Sequence, residues 1–148
     1  MTVLVTGAAG FIGFHTAQAL LARGERVIGV DIVNDYYDPI LKRARLDVLS
    51  KQPNFSFIQA DIAEREQMED IAAKNPDINH IVNLAAQAGV RYSLVNPYAY
   101  TRSNIEGHLV MLEMARHLPN FKHFVYASSS SVYGANEHLP FSVEDRVD

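Results

Sequence analysis

Val3-Leu4-Val5-Thr6-Gly7-Ala8-Ala9-Gly10-Phe11-Ile12-Gly13 opens the chain and decides how the rest of it reads. Val3 to Val5 is a short apolar run, mostly β-branched, which suits a buried strand. Gly7, Gly10 and Gly13 follow at three-residue spacing. Ile12, Thr16, Ala19 and Leu20 then recur at i, i+4, i+7 and i+8, one face of a helix. The order strand, glycine turn, helix favours a bound phosphate. The first helical turn carries N–H groups with no partner in the helix, and its dipole end is positive. Gly7 can take backbone angles closed to other residues. Gly10 lets the backbone approach a pyrophosphate, and Gly13 lets the helix sit close to the strand. The spacing is G-x-x-G-x-x-G rather than G-x-G-x-x-G, and a tight turn with no ligand also satisfies it.

The next residues support the ligand. Arg23-Gly24 ends the helix with a basic last turn and a C′ glycine. Val27-Ile28-Gly29-Val30 is a second apolar strand with Asp31 at its carboxyl end. An acidic residue about twenty positions after the glycine turn can bind the two ribose hydroxyls of an adenosine. No Arg or Lys follows Asp31 closely to welcome a 2′-phosphate, so NAD is favoured over NADP.

With 148 residues, 48% hydrophobic and 20% charged, the chain fits one ordinary globular domain. A net charge of −4 offers no basic surface for nucleic acid or for an anionic membrane. The absence of cysteine excludes disulfides, thiolate metal sites and cysteine nucleophiles, and no metal is expected. A strand that starts just after Met1 leaves no room for a signal peptide, and no apolar run approaches membrane-spanning length. The expected home is cytoplasmic.

Ile32 to Pro39 reads as a loop, with Pro39 opening a helix that runs to Leu49. Lys42, Arg43 and Arg45 then read as its solvated face, or as a rim that attracts an anion. Phe55 to Ile58 is a third strand, ending at Asp61-Ile62. There a carboxylate and the next backbone amide can bond a purine edge, or Asp61 can cap the following helix. His80 to Ala86 is a fourth strand running into small residues. Gln87 to Asn96 is a loop whose one cation, Arg91, is a ligand contact or a surface residue. Asn96-Pro97 starts a helix reaching about Leu118. Its two apolar stripes, one through Ile105, Leu109 and Leu112, predict burial on two sides, by the sheet and by a subunit partner or another part of the protein. Phe124 to Ala127 is a fifth strand feeding Ser128-Ser129-Ser130-Ser131. That run is an ordinary loop or a set of hydroxyls aimed at a polar substrate. Strands alternating with helical patterns predict an α/β, Rossmann-like, doubly wound parallel sheet of order 3-2-1-4-5, with a ligand crevice between strands 1 and 4.

These residues resemble the extended short-chain dehydrogenase/reductase family, in its nucleotide-sugar epimerase/dehydratase branch. The carriers are Thr6 to Gly13, Asp31, Asp61-Ile62, Asn83-Leu84-Ala85-Ala86, Ser103-Asn104 and the serine run before Val132-Tyr133-Gly134. More narrowly, Asn34-Asp35-Tyr36-Tyr37-Asp38 and Ala88-Gly89-Val90-Arg91-Tyr92-Ser93 resemble UDP-glucuronate 4-epimerases. The resemblance implies NAD held by Gly7, Gly10, Phe11, Ile12 and Gly13. It puts Asp31 on the adenosine ribose and Asp61 and Ile62 at the adenine, with Ile32 and Asn34 also on the cofactor. Leu84, Ala85, Ala86 and Gln87 fall beside the nicotinamide half, with Ser103 also on the cofactor. Ser129 stands where the family places a catalytic hydroxyl that bonds the sugar's 4-oxygen. Arg91, Ser130 and Ser131 are expected on the nucleotide-sugar substrate. The implied reaction is reversible oxidation at C4, with the hydride returned to the other face of the 4-keto sugar.

The family's Tyr-x-x-x-Lys pair is missing. None of the seven tyrosines has a lysine four residues later. The expectation is therefore an N-terminal piece, residues 1–148, of a longer homodimeric enzyme, its last sheet strands and sugar-binding C-terminal domain lying outside this sequence. Such a piece binds NAD without turnover. The alternatives are another nucleotide-sugar epimerase or dehydratase, and a noncatalytic dinucleotide-sensing module. Ser130-Ser131, where a dehydratase carries an Asp-Glu pair, speaks against a dehydratase.

Overall fold

β1 (Thr2–Thr6) is the central strand of a five-stranded parallel sheet ordered β3-β2-β1-β4-β5. The structure is a computed structural model describing residues 1–147. The other strands are β2 (Arg26–Asp31), β3 (Phe55–Gln59), β4 (His80–Asn83) and β5 (His123–Tyr126). The predicted order is found, and the progression of strands across the sheet reverses between β1 and β4, which run parallel. Residues Asp61-Ile62 and Leu84 to Ala86 lie just past their strands rather than within them.

All five residues of β1 are buried, as a strand covered on both faces requires. Leu4, Ile28, Val30 and Ile81 point to one face, where Met68 and Ile71 of α3 (Arg65–Lys74) and Met111 and Met114 of the later helix cover them. Val3, Val5 and Val27 point to the other, against Phe14, Ala17, Leu20 and Leu21 of α1 (Phe11–Ala22) and Leu49 of α2 (Pro39–Leu49). Each such side chain contributes about 1.5–3 kcal/mol when fully buried. The sheet is thus wound on both sides.

Two details of the helices correct the expectations. The buried face of α1 is one step off the predicted one. Gly13 and Ala17 pack inward, while Ile12 and Ala19 are exposed. Close packing at Gly13 sets this phase: a Cβ there would lie 2.7 Å from the Gly7 carbonyl carbon and nearer still to its oxygen. Secondly, the helix after Asn96-Pro97 is not uniform. It comprises α4 (Pro97–Tyr100), a π-helical turn Thr101–Glu106 and α5 (Gly107–His117). The stripe of Ile105, Leu109 and Leu112 is exposed, at 67%, 58% and 43%, so within these residues the sheet covers one side of this helix and the other is open. The C-terminal end of α1 has the expected C′ glycine, but its last turn holds no basic residue, because Arg23 is itself the C-cap. Gly24 takes φ +80, its N–H bonds the Leu21 carbonyl, and Glu25 N–H bonds Leu20.

At the amino ends of the strands, Asp77 accepts from Thr2 Oγ1 at 2.7 Å and from Arg26 Nη1 at 2.6 Å. The Thr2 hydroxyl first, then the Arg26 guanidinium, hold the Asp77 carboxyl below its usual range. A lowered carboxyl stabilises the fold above its unfolded pKa of about 4, and that contribution fades as pH falls through the folded value. Asp77→Asn is expected to flatten this acid limb in urea titrations between pH 5 and 2 (roughly) while sparing neutral-pH structure. Gly13→Ala is expected to lower unfolding free energy by about 2 kcal/mol or more, read from the urea midpoint, because Gly7 backbone must move.

Candidate functional site

The turn between β1 and α1 is held from three sides. Gly7 sits at φ +68, and a Cβ on it would stand 3.0 Å from Leu84 C and Ala85 N. Gly10 N–H bonds Gly7 O at 2.9 Å, and Ala8 N–H bonds Val30 O at 3.2 Å. Gly10 is the N-cap of α1 and brings no capping side chain. Phe11, Ile12 and Gly13 N–H groups have no acceptor among the described residues. They form a group of unpaired donors at the positive end of a helix.

Asp31, 9% exposed, closes the β2 side of this turn. Its Oδ2 accepts from Ala9 N–H at 3.1 Å and its Oδ1 from Val33 N–H at 2.8 Å. A carboxylate has about four lone-pair sites, so two remain for a ligand. On the β4 side Thr6 is the hub. Its hydroxyl donates to Asn83 Oδ1 at 2.6 Å and accepts from Leu84 and Ala85 N–H, both at 3.0 Å. Asn83 Nδ2 lies 3.1 Å from His108 Nδ1.

The β2–α2 loop corrects the reading of the basic cluster. Lys42 is 6% exposed, and its ammonium donates to both Asn34 O and Asn34 Oδ1 at 2.8 Å. Arg45 donates to Ala9 O at 3.1 Å, and its guanidinium lies 5.9 Å from the Phe11 ring centre. Of the three, Arg43 alone faces solvent as a solvated face requires. Helical phase accounts for this: Lys42, Leu46 and Leu49 share the buried side of α2. Two cations therefore brace the glycine turn and its neighbouring loop. The only signal in the sequence was the i, i+4, i+7 spacing of Lys42 with Leu46 and Leu49.

Beyond β3, Asp61 Oδ1 accepts from Ala63 N–H at 2.9 Å and Oδ2 from Arg102 Nη2 at 2.9 Å. The cap of α3 is Glu64, so Asp61 caps the preceding turn instead. Arg102 also pairs with Glu64, and these two carboxylates, Glu64 foremost, hold the guanidinium's pKa above its usual value. Ile62 is buried, and its N–H has no acceptor among the described residues.

Beyond β4, Gln87 and Asn104 exchange bonds, Gln87 N–H to Asn104 Oδ1 at 2.8 Å and Asn104 Nδ2 to Gln87 O at 3.1 Å. Ala88 O accepts from Tyr36 Oη at 2.9 Å and Tyr100 Oη at 3.0 Å. The two stretches Asn34–Asp38 and Ala88–Ser93, read separately in the sequence, thus meet across the carboxyl end of β1. Arg91 is exposed on a short 3-10 turn with no partner among the described residues. Ser129 Oγ accepts from Ser131 N–H at 3.2 Å and lies 3.2 Å from Ser131 Oγ. Ser128 to Ser131 are all exposed.

The carboxyl ends of the strands thus gather Gly7 to Gly13, Asp31, Ile32, Asn34, Asp61, Ile62 and Leu84 to Gln87, while Ser103 lies on the π-helical turn next to Asn104. Ser129 to Ser131 follow β5 on the same side of the sheet, after Arg91. The sequence reading missed Lys42, Arg45, Arg102 and Asn104 as supports.

Residues 4–147 match the family described as GDP-mannose 4,6 dehydratase. UDP-glucuronate 4-epimerase 4 of Arabidopsis thaliana is 48% identical over 148 residues, which cover 100% of this chain and 33% of that protein. The fold superposes on UDP-glucuronic acid 4-epimerase from Bacillus cereus, solved with UDP-glucuronic acid and NAD, with a TM-score of 0.84 and 34% identity. It also superposes on UDP-glucose 4-epimerase from Bifidobacterium longum, solved with NAD+ and UDP, with a TM-score of 0.82 and 31% identity. The alignments take in all of this chain but 46% and 43% of those two. The chain spans less than half the length of the relatives it matches.

Thr6→Val keeps the shape of the hub and removes its hydroxyl. It leaves the Leu84 and Ala85 amides unpaired, and is expected to cost about 2 kcal/mol in urea unfolding. Faster hydrogen exchange at those two amides than at Leu4 or Ile28 locates the damage.

Proposed function

Because this chain belongs to the GDP-mannose 4,6 dehydratase family, we propose that it is the NAD-binding part, residues 1–148, of a UDP-sugar 4-epimerase acting on UDP-glucuronate. The observation that carries the reading is the glycine turn itself: three unpaired N–H groups at the start of α1, with the Asp31 carboxylate beside them. Unpaired helix-end donors suit linked phosphates, and a carboxylate with spare lone pairs suits ribose hydroxyls. A 2′-phosphate would meet the charge of Asp31 instead, so NAD is preferred to NADP. Asp61 and the Ile62 N–H offer an acceptor and a donor to the adenine edge.

NAD, when bound, supplies reversible hydride storage. The chain's own part is to bind and orient. Ser129 holds the sugar's 4-oxygen, while Arg91, Ser130 and Ser131 engage the charged substrate. A uronic acid oxidised at C4 is a β-keto acid prone to lose carbon dioxide, and hydrogen bonds to its carboxylate from Ser130 and Ser131 restrain that loss. The general base of the reaction and the sugar-binding domain belong to sequence outside these residues, since no Tyr-x-x-x-Lys occurs here. The exposed stripe of Ile105, Leu109 and Leu112 suits a second copy in a homodimer. No helix among the described residues is long and apolar enough to cross a membrane, and we assign the protein to the cytoplasm. A noncatalytic dinucleotide sensor is the second reading, favoured by the missing Tyr and Lys.

Titration calorimetry on the purified chain is expected to show NAD binding that weakens at least about tenfold in Asp31→Ala, the scale of a lost charge-assisted bond. No C4 inversion of UDP-glucuronate is expected from the chain alone. Equal affinity for NAD and NADP, or no binding of either, sinks the reading.

A further inference from the structure

The π-helical turn Thr101–Glu106 links two of the loops at the carboxyl ends of the strands. Its i→i+5 bond, from Gly107 N–H to Arg102 O, stacks residues 102 and 107 along one side. In a regular α-helix, positions five apart point about 140° away from each other. Here both reach the β3–α3 loop. Gly107 lies against Ile62, and a Cβ on it would stand 2.7 Å from Ile62 Cγ1. Arg102 grips the Asp61 carboxylate at Oδ2 with Nε, 3.1 Å, and Nη2, 2.9 Å. Two residues along the same turn, Asn104 exchanges its two bonds with Gln87. One extra residue per turn thus serves the Asp61-Ile62 loop and the Gln87 loop from a single helix. π-bulges are often found where a helix meets a functional site.

We propose that Arg102 is a specificity-determining positioning residue, which fixes Asp61 so that the site takes a 6-aminopurine and rejects a 6-oxopurine. The inference rests on the NAD-binding reading above and extends it to a residue that does not itself touch the cofactor. Arg102 fills Oδ2, and Ala63 N–H takes one position on Oδ1. The remaining Oδ1 lone pair is the open acceptor, next to the open Ile62 N–H. Adenine presents the matching edge, an amino donor beside the N1 acceptor. Hypoxanthine reverses both: its 6-oxygen meets the carboxylate, and its N1–H meets the amide. An orienting cation keeps the Asp61 carboxylate turned to this edge. Without it the carboxylate rotates, water serves its lone pairs, and the discrimination falls.

The test compares NAD with nicotinamide hypoxanthine dinucleotide on the purified chain, its Arg102→Met form and its Arg102→Lys form, by titration calorimetry. The unaltered chain is expected to prefer NAD. Arg102→Met is expected to lower that preference about two- to fivefold, the scale of an exposed ion pair, chiefly by weakening NAD. Arg102→Lys restores part of it. A merely structural role would weaken both dinucleotides alike, and an unchanged or increased ratio in Arg102→Met overturns the proposal. If that variant does not fold, rising sodium chloride on the unaltered chain replaces it. Salt screens the exposed pair, so a salt-independent preference overturns the proposal as well. Failure of the unaltered chain to bind either dinucleotide overturns the NAD-binding reading itself, and this inference with it. Binding of NAD with an unmoved ratio overturns the role of Arg102 alone.

Discussion

Everything at the carboxyl end of this sheet depends on how closely the backbone of Gly13 approaches the backbone of Gly7. No side chain can stand between them, and the first turn of α1 is thereby pressed against the end of β1. The turn so formed cannot satisfy its own donors. Asp31 takes one on the β2 side, and Arg45 binds a carbonyl of the same turn. Thr6, at the end of β1, fixes the first two amides beyond β4. These fastenings come from three different elements, and each is a polar side chain with a defined role in the donor and acceptor count. The amides left over at the start of α1 are what such a count leaves for a ligand.

The arrangement of loops follows from strand order. β2 and β4 flank β1, so the segments that leave their carboxyl ends rise on either side of the glycine turn. Tyr36 from one side and Ala88 from the other meet over it, with Tyr100 adding a second hydroxyl to the same carbonyl. Tyr36 and Tyr92 pack with ring centres 4.9 Å apart. The walls of the crevice are therefore one connected structure rather than two independent loops.

Much of this was legible in the sequence. The five strands, their order, the glycine turn and the position of Asp31 all follow from apolar runs and turn residues, because parallel strands buried on both faces leave a strong signal. The π-helical turn was not legible. An apolar pattern read at 3.6 residues per turn simply continues through it, and the change of phase that aims Arg102 at Asp61 leaves no mark in composition. Lys42 misled for a related reason. A lysine among charged residues reads as solvated, yet its phase on α2 carries it inward to the Asn34 carbonyl. The predicted face of α1 slipped by one residue because Gly13 is small. Hydrophobic periodicity cannot weigh a residue whose importance is its lack of volume.

β5 leaves a different kind of mark on the molecule. It pairs with β4 along one side, and no strand pairs with its other side among the described residues. Val125 and Tyr126 are exposed on it. A bare strand with alternate unsatisfied amides and carbonyls is a template for any extended segment that meets it. Crowded solutions of this chain would therefore begin to aggregate there, by strand addition, long before the well-covered centre of the sheet loosened.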